Sequence, residues 1–261
     1  MNVVVCLKQV PGTTQVKIDP RTNILIRHGI ENIINPFDTY AIEEGVRLRE
    51  RTGGKVTAIS MGPPQAETAL REAVSLGADE GILLSDPAFA GADTWATSYT
   101  ISAALRKLVQ YDLVICGRQT LDGDTGQVGP QLAEMLALPF IAYVSQIEEI
   151  ADGSLRVQRM VEDGYEVMEC SLPAVITVVK EINTPRLPSL RGIARSKSAT
   201  ISVWGTEELN VDPGRLGLAG SFTQVIRIFS PQRVCQGEIF QGEAEEQVDC
   251  LIGRLRDNGF I

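Results

Sequence analysis

The chain of 261 residues is long enough to bury a substantial core, and 44% of its residues are hydrophobic. Its 33 acidic and 24 basic residues give a formal net charge of −9, which disfavours a general role on nucleic acid or on an anionic membrane surface. The sequence has no apolar run long enough to span a bilayer, and the polar Lys8 and Gln9 argue against a signal peptide, so we expect a cytoplasmic protein.

The first half of the chain alternates strand-like and helix-like segments, as in a parallel sheet wrapped by helices. NVVVCL predicts the first strand, and NPFDTYAIEEGVRLRERTGG predicts a helix with Asn35 as its N-cap and Pro36 as its first residue. KVTAISMG and PPQAETALREAVSLGAD give a second strand and helix. GILLSD and DTWATSYTISAALRKLVQ give a third pair, in which Asp93 is the expected cap. DLVICG predicts a fourth strand.

The loop CGRQTLDGDTGQVGP, residues 116–130, joins this fourth strand to a helix for which Pro130 suits the first position. At the carboxyl end of a parallel strand, backbone N–H groups and a helix N-terminus favour an anionic group such as phosphate. The loop matches neither GxxxxGKS/T nor GxGxxG, and glycine and aspartate also build plain turns. Its residues alone therefore leave a nucleotide loop and a simple turn both open.

The second half of the chain changes its pattern after Pro139. FIAYVSQIEEI is followed by SLRVQRMVEDGYEVMEC, in which Asp163 and Gly164 predict the turn of a β-hairpin, and PAVITVV predicts a buried strand. From about residue 181 the chain is rich in proline, arginine and serine, which favours an exposed loop or arm. EEQVDCLIGRLRDNGF predicts an amphipathic helix that packs either at home or on a partner.

The cysteine and histidine content excludes several kinds of site. The cysteines form no CxxC pair, which gives no support to a zinc site or an iron–sulfur cluster and favours buried reduced thiols. The single histidine, His28, lies in a polar segment and gives no support to a histidine-based hydrolase triad. No residue resembles a general acid or base, so we predict neither a catalytic residue nor a metal ligand.

Several stretches, in a specific order and spacing, carry a resemblance to a known family: VVCLKQVP, NPFDTYAIEEGVRLRE, ISMGPPQAE, LREAVSLGADE, ICGRQTLDGDTGQVGPQLAE, LPAVITV and PRLPSLRGIARSK. Over essentially its whole length the sequence resembles the β subunit of electron transfer flavoproteins. The resemblance implies an adenine nucleotide α-hydrolase-like, Rossmann-like α/β fold with a β-hairpin extension and a C-terminal arm. It also implies obligate pairing with an α subunit that holds the electron-transferring FAD.

In this family the β subunit binds either AMP or a second FAD. Glycines of the loop would let backbone amides approach a phosphate, while aspartate and glutamine side chains would position sugar or phosphate groups or cap the next helix. The cofactor-binding residues implied in this way are Cys6, Leu7, Lys8, Asn35, Phe37, Asp38, Ser60, Met61, Gly62, Asp93, Thr94, Gly117, Arg118, Gln119, Asp122, Gly123, Asp124, Thr125, Gly126, Gln127, Val128 and Gly129.

The subtype follows from the loop. AMP-binding members tend to carry a DxDxNxTGQ-like loop, whereas members that bifurcate electrons carry one close to DGDTGQVGP, which residues 122–130 spell here. The resemblance therefore implies a second FAD that accepts a hydride from NADH, but only within the αβ complex. One electron would go to ferredoxin or flavodoxin, and the other through the α-subunit FAD to an acyl-CoA dehydrogenase-like or quinone reductase partner.

Two alternatives remain. The first is a non-bifurcating carrier with AMP in this site, which passes electrons from acyl-CoA dehydrogenases to a quinone reductase. The second comes from another class: an ATP-binding stress-type regulator has similar repeats but no redox role.

The resemblance also divides the chain into functional parts. Residues 1–180 are expected to form the nucleotide-binding domain with its hairpin, residues 181–235 a partner-docking loop and extended arm, and residues 236–261 an amphipathic helix that packs on the α subunit. In the docking loop we expect Leu190 to be an apolar anchor. The basic residues expected to guide an acidic partner surface are Arg191, Arg195 and Lys197.

Overall fold

The structure is a computed structural model that describes residues 1–12, 17–18, 25–26, 32–108, 110–226 and 237–261. His28, Cys235 and part of the predicted arm lie outside these ranges. The chain divides into two compact units, residues 1–226 and residues 227–261. No helix in the described ranges is long and apolar enough to cross a membrane.

The elements are numbered in chain order. The first half contains β1 (Asn2–Cys6), β2 (Gln9–Pro11), β3 (Lys17–Ile18), β4 (Leu25–Ile26), β5 (Asn32–Ile34), α1 (Pro36–Thr52), β6 (Lys55–Met61), α2 (Glu67–Leu76), β7 (Glu80–Leu84), α3 (Thr94–Lys107) and β8 (Leu113–Gly117). The second half contains α4 (Val128–Leu136), β9 (Phe140–Ala151), β10 (Ser154–Val161), β11 (Gly164–Ser171), β12 (Ala174–Val178), α5 (Leu190–Ser198), β13 (Ile201–Trp204), α6 (Thr206–Leu209) and α7 (Ala244–Asp257).

The central sheet of the described residues has nine strands in the order β11-β10-β9-β12-β8-β1-β6-β7-β13. In this spatial order, each pair of neighbouring strands from β9 across the sheet to β13 is parallel. At the other edge, β10 pairs antiparallel with both β9 and β11. This arrangement confirms the predicted α/β class and the predicted hairpin. The chain moves from β1 outward through β6 and β7, then returns to β8 on the other side of β1, so the sheet reverses its strand order between β1 and β8.

Apolar side chains cover both faces of the sheet, as expected when helices pack on each side. Along β1, Val3 and Val5 lie in one buried cluster with residues of α1 and α2, whereas Val4 and Cys6 lie in a second cluster with residues of α3 and α4. The alternation follows from the two-residue period of a strand. It explains why the first strand is a continuous apolar run in the sequence.

Part of the segment predicted to be a loop is instead a helix followed by a strand. The Ser189 side chain caps α5 by accepting a hydrogen bond from Gly192 N, and Arg71 of α2 donates to the carbonyls of Ser196 and Ala199. β13 then pairs in parallel with β7 and extends the sheet. A segment of loop-like composition forms a helix here because Arg71 of α2, more than a hundred residues earlier in the chain, stabilises it. Local composition cannot reveal such a distant contact.

One helix boundary and one helix cap differ from the prediction. Helix α4 begins at Val128, so Pro130 is its third residue rather than its first. Asn35 occupies the N-cap position of α1, but its side chain makes no capping hydrogen bond.

The second unit contains the predicted C-terminal helix, α7. Its acidic first turn and basic last turn complement the helix dipole. None of its residues is buried, and Val248 and Leu251 are about half exposed. Packing of this helix on a partner remains a prediction.

Candidate functional site

A cavity of about 1050 Å³ opens at the carboxyl ends of β1, β6, β7 and β8. It lies where the strand order reverses, the usual position of a ligand site in an open parallel sheet. Its volume is at the upper end of the range for pockets that bind small molecules and cofactors. Most of the predicted cofactor-binding residues line it: Cys6, Leu7, Lys8, Asp38, Met61, Gly62, Asp93, Thr94, Gly117, Arg118, Gln119, Gly123, Thr125, Gly126, Gln127, Val128 and Gly129.

The other predicted residues, Asn35, Phe37, Ser60, Asp122 and Asp124, are not among the lining residues. Asn35 is fully buried and holds the glycine-rich loop: its amide donates to Gln119 O at 2.9 Å and its carbonyl accepts from Leu121 N at 3.0 Å. Ser60 is also buried, and its hydroxyl has no partner within the described residues. Of the two, only Asn35 contacts the loop through hydrogen bonds.

A salt bridge joins the loop to the end of β1. Lys8 Nζ lies 2.7 Å from a carboxylate oxygen of Asp122. Burial opposes ionisation of Asp122, but the hydrogen bond and the charge of Lys8 outweigh it and hold the pKa of this carboxyl below its usual value. Lys8 thus lines the cavity and fixes the loop through its ammonium group.

Four further contacts, three of them made by Arg118, order the loop. The guanidinium of Arg118 lies 5.5 Å from the ring centre of Phe37 and 5.6 Å from that of Tyr143. Arg118 Nε donates to Gln119 Oε1 at 2.6 Å, and Gln119 Nε2 donates to a carboxylate oxygen of Asp124. These contacts leave Arg118 on the cavity wall with its orientation fixed by two aromatic rings and an amide.

The loop glycines serve different purposes. A Cβ at Gly117 would lie 2.3 Å from Asp38 Oδ1, and one at Gly129 would lie 2.4 Å from the Thr177 side chain, so both positions are limited by packing. Gly126 has a φ of +62°, in the left-handed region that favours glycine. Asp124 adopts a φ of +53° without being glycine, which aspartate tolerates better than most residues.

The first turns of two helices line the cavity, through Thr94 and Thr97 of α3 and through Val128 and Gly129 of α4. Thr94 Oγ1 donates to Gln127 Oε1 at 2.9 Å and thereby joins the two helix ends. Because helix N-termini carry partial positive charge and free N–H groups, this end of the cavity favours an anion.

The carboxylate of Asp93 has structural partners. It accepts hydrogen bonds from Ala96 N at the start of α3 and from Phe222 N, Thr223 N and Thr223 Oγ1. Burial opposes ionisation, but these hydrogen bonds outweigh it and lower the pKa of Asp93. The predicted helix cap is confirmed, and the same side chain holds residues 222–223 beside the cavity.

Asp38 is the most strongly perturbed acid of the cavity wall. It is 4% exposed, and burial raises the pKa of its carboxyl to about 7, although hydrogen bonds with Asn35 and with the backbone of Lys8 and Gly117 act in the opposite direction. Its Oδ2 accepts from Lys8 N at 2.8 Å. One side chain at the start of α1 therefore joins the ends of β1 and β8.

The sequence prediction found only the end of the loop after β7, at Asp93. The rest of this loop forms a large part of the wall, where Phe89 supplies apolar surface together with Ile101 of α3. Because β7 is also a parallel strand and its carboxyl end lies at the same edge, the topological rule could have found the whole loop. The lining residues of this loop that were not predicted are Ser85, Asp86, Pro87, Phe89, Ala90, Gly91 and Ala92.

The predicted docking residues, Leu190, Arg191, Arg195 and Lys197, all lie on α5. Leu190 is 89% exposed, as an anchor for a partner would be. Arg195 differs from the prediction, because its guanidinium donates to the carbonyls of Val74 and Ala78 at the end of α2 and so holds α5 in place. Arg186 forms salt bridges with Glu43 and Glu50 of α1, which fix the chain just before the exposed leucine.

The comparisons with known proteins agree on one family. The family model described as "Electron transfer flavoprotein domain" matches residues 22–209. The chain is 50% identical to the electron transfer flavoprotein subunit beta of Thermoanaerobacterium thermosaccharolyticum over the full length of both chains. It is 46% identical to the caffeyl-CoA reductase-Etf complex subunit CarD of Acetobacterium woodii, also over the full length of both, and 43% identical to the protein FixA of Azotobacter vinelandii over 89% of this chain and 85% of that protein.

Proposed function

The chain belongs to the electron transfer flavoprotein family, in which it is a β subunit, and we propose that its cavity holds a second FAD in an electron-bifurcating complex. The proposed partner is an α subunit that carries its own FAD. In this proposal NADH is the electron donor, ferredoxin or flavodoxin is the low-potential acceptor, and a dehydrogenase or quinone reductase receives the other electron through the α-subunit FAD. A cytoplasmic location remains part of the proposal.

The observation that carries the proposal is the DGDTGQVGP loop at the edge of a cavity of about 1050 Å³. The loop resembles that of bifurcating family members, and the cavity is large enough for a ligand bigger than a mononucleotide. The relative from Acetobacterium woodii, named as a subunit of a caffeyl-CoA reductase-Etf complex, supports an assembly with a dehydrogenase-like partner. The relatives that match the full length of the chain include electron transfer flavoprotein subunits, so the comparisons give no support to a stress-type regulator.

The residues present suit a dinucleotide. The N-termini of α3 and α4 form an electropositive end for a diphosphate, whereas Phe89 and Ile101 offer apolar surface for a ring. FAD would supply the hydride-accepting and one-electron chemistry, and the protein would supply position and electrostatics. Asn35 and the Lys8–Asp122 pair would hold the loop against the bound diphosphate.

The test measures ferredoxin reduction by the purified αβ complex with NADH. We expect reduction only when the high-potential acceptor is also present, because the uphill transfer of one electron must be coupled to the downhill transfer of the other. Ferredoxin reduction that needs no high-potential acceptor, or no bleaching of flavin absorbance by NADH, would contradict the proposal.

A matched pair of glycine variants locates the reaction in this cavity. Gly126 and Gly153 both have a positive φ, +62° and +76°, but Gly153 lies in the β9–β10 turn and does not line the cavity. Gly126→Ala should lower the content of β-bound nucleotide and the rate of ferredoxin reduction, while Gly153→Ala should leave both unchanged. Equal effects of the two variants would mean that backbone strain alone causes the loss.

A further inference from the structure

We propose that Cys6 and Cys116 form a dithiol site on the cavity wall that chelates a thiophilic trivalent arsenical. Such a ligand is unrelated to electron transfer. Cys6 of β1 is the direct register partner of Cys116 of β8, the adjacent parallel strand.

Register partners on neighbouring parallel strands lie about 4.8 Å apart and project their side chains from the same face of the sheet. Cys6 and Cys116 accordingly belong to the same buried cluster, on the side of α3 and α4. At the same level of the sheet, Ile59 of β6 is the register partner of Cys6, and Thr177 of β12 is the register partner of Cys116. The pKa of Cys116 is raised mainly by interaction with the Cys6 thiol and also by burial. Such an interaction is expected when two sulfur atoms are in close contact.

Both cysteine residues also line the cavity, although each is largely buried, with 7% and 5% of its surface exposed. A small planar reagent that enters the cavity would therefore find both residues in the same wall. Soft, thiophilic centres such as trivalent arsenic prefer sulfur donors, and a second thiol adds as an intramolecular ligand.

The reaction is a condensation without a change of oxidation state. An aryl arsenoxide loses its oxygen, the two S–H bonds break, two As–S bonds form, and one water molecule leaves with both thiol protons. The product is a ring closed across β1 and β8. Because its aryl group lies in the cavity, it should exclude the nucleotide, an outcome that rests on the proposed function.

The experiment uses the αβ complex, stripped of nucleotide, with phenylarsine oxide as the probe and intact mass spectrometry of the β subunit as the readout. A background that carries Cys170→Ala, Cys235→Ala and Cys250→Ala removes the other cysteines of this chain. We expect one phenylarsenic group per β subunit, removed by 2,3-dimercaptopropanol but not by excess 2-mercaptoethanol. In this background, Cys6→Ala or Cys116→Ala should weaken binding by about 100-fold or more, the usual gain from a second linked site.

A relocated pair tests the role of the cavity. Val4 and Val114 are register partners on the same face of the sheet, two residues before Cys6 and Cys116 along their strands. Neither of them lines the cavity. Val4→Cys with Val114→Cys, in a chain that also carries Cys6→Ala and Cys116→Ala, should remain unlabelled. Circular dichroism confirms folding of each variant, and Cys→Ser variants replace any Cys→Ala variant that does not fold.

Three results would overturn the inference: no labelling of the stripped complex, labelling that survives loss of either cysteine, or equal labelling of the relocated pair. Added FAD or ADP should slow the labelling at least several-fold. If the complex is labelled as expected but its released nucleotide contains no second FAD, the proposed function fails while the dithiol site stands.

Discussion

Replacement of Asp38 by asparagine should remove a specific part of the pH dependence of stability. The carboxyl is 4% exposed, and its pKa is raised from 3.8 to about 7 by burial, against the hydrogen bonds with Asn35, Lys8 and Gly117. The folded chain therefore binds a proton at this site between these two pH values and the unfolded chain does not. The stabilisation that this bound proton gives the folded chain is complete below the unfolded pKa of 3.8. It is lost as pH rises through the folded pKa of about 7.

The magnitude follows from the size of the shift. At about 1.4 kcal/mol per pKa unit, a shift from 3.8 to about 7 corresponds to about 4 kcal/mol of unfolding free energy. The free energy of unfolding of the parent, relative to Asp38→Asn, should fall by up to this amount between pH 4 and pH 8, with a slope of at most about 1.4 kcal/mol per pH unit.

The assay is urea unfolding of the nucleotide-stripped chain, followed by circular dichroism at several pH values. Asp163→Asn, in the exposed turn of the hairpin, is the control and should keep the parental profile. Asparagine keeps only one acceptor oxygen for the backbone donors of Lys8 and Gly117, so an additional offset of about 1–3 kcal/mol is expected. Parallel profiles for the parent and Asp38→Asn would refute the reasoning.

Three further predictions concern the cavity and the docking segment. Gly117→Ala should destabilise the chain and lower its nucleotide content, because the added Cβ would lie 2.3 Å from Asp38 Oδ1; unchanged thermal unfolding and nucleotide content would contradict this. Lys8→Met should weaken nucleotide binding and reduce its salt dependence, measured by equilibrium dialysis at two ionic strengths, and an unchanged salt dependence would argue against a phosphate near Lys8. Leu190→Ala should slow electron delivery to the partner dehydrogenase without a change in flavin content; the idea fails if variant and parent transfer electrons at equal rates.

The sequence allowed prediction of those features that depend on local patterns. The continuous apolar run of β1 and the Pro36 and Gly53 signals at the ends of α1 specify their elements without help from distant residues. Most of the predicted residues that line the cavity came from the family resemblance, and they lie at the strand ends where the topological rule places a ligand site. Of the loop after β7, which obeys the same rule, only Asp93 at its end was predicted.

The remaining features depend on contacts between residues far apart in the chain. Helix α5 forms in a segment of loop-like composition because Arg71 and Arg195 join it to α2. Asn35 looks like a helix cap in sequence, but its side chain holds the glycine-rich loop, 84 residues away at Gln119. Local spacing contains no information about either contact.

The central claim, a second FAD in this cavity, is tested most directly by the nucleotides that heat releases from the purified αβ complex. The account predicts two FAD and no AMP per αβ pair, quantified by chromatography against protein concentration. One FAD and one AMP per pair would contradict it and would identify the non-bifurcating carrier instead.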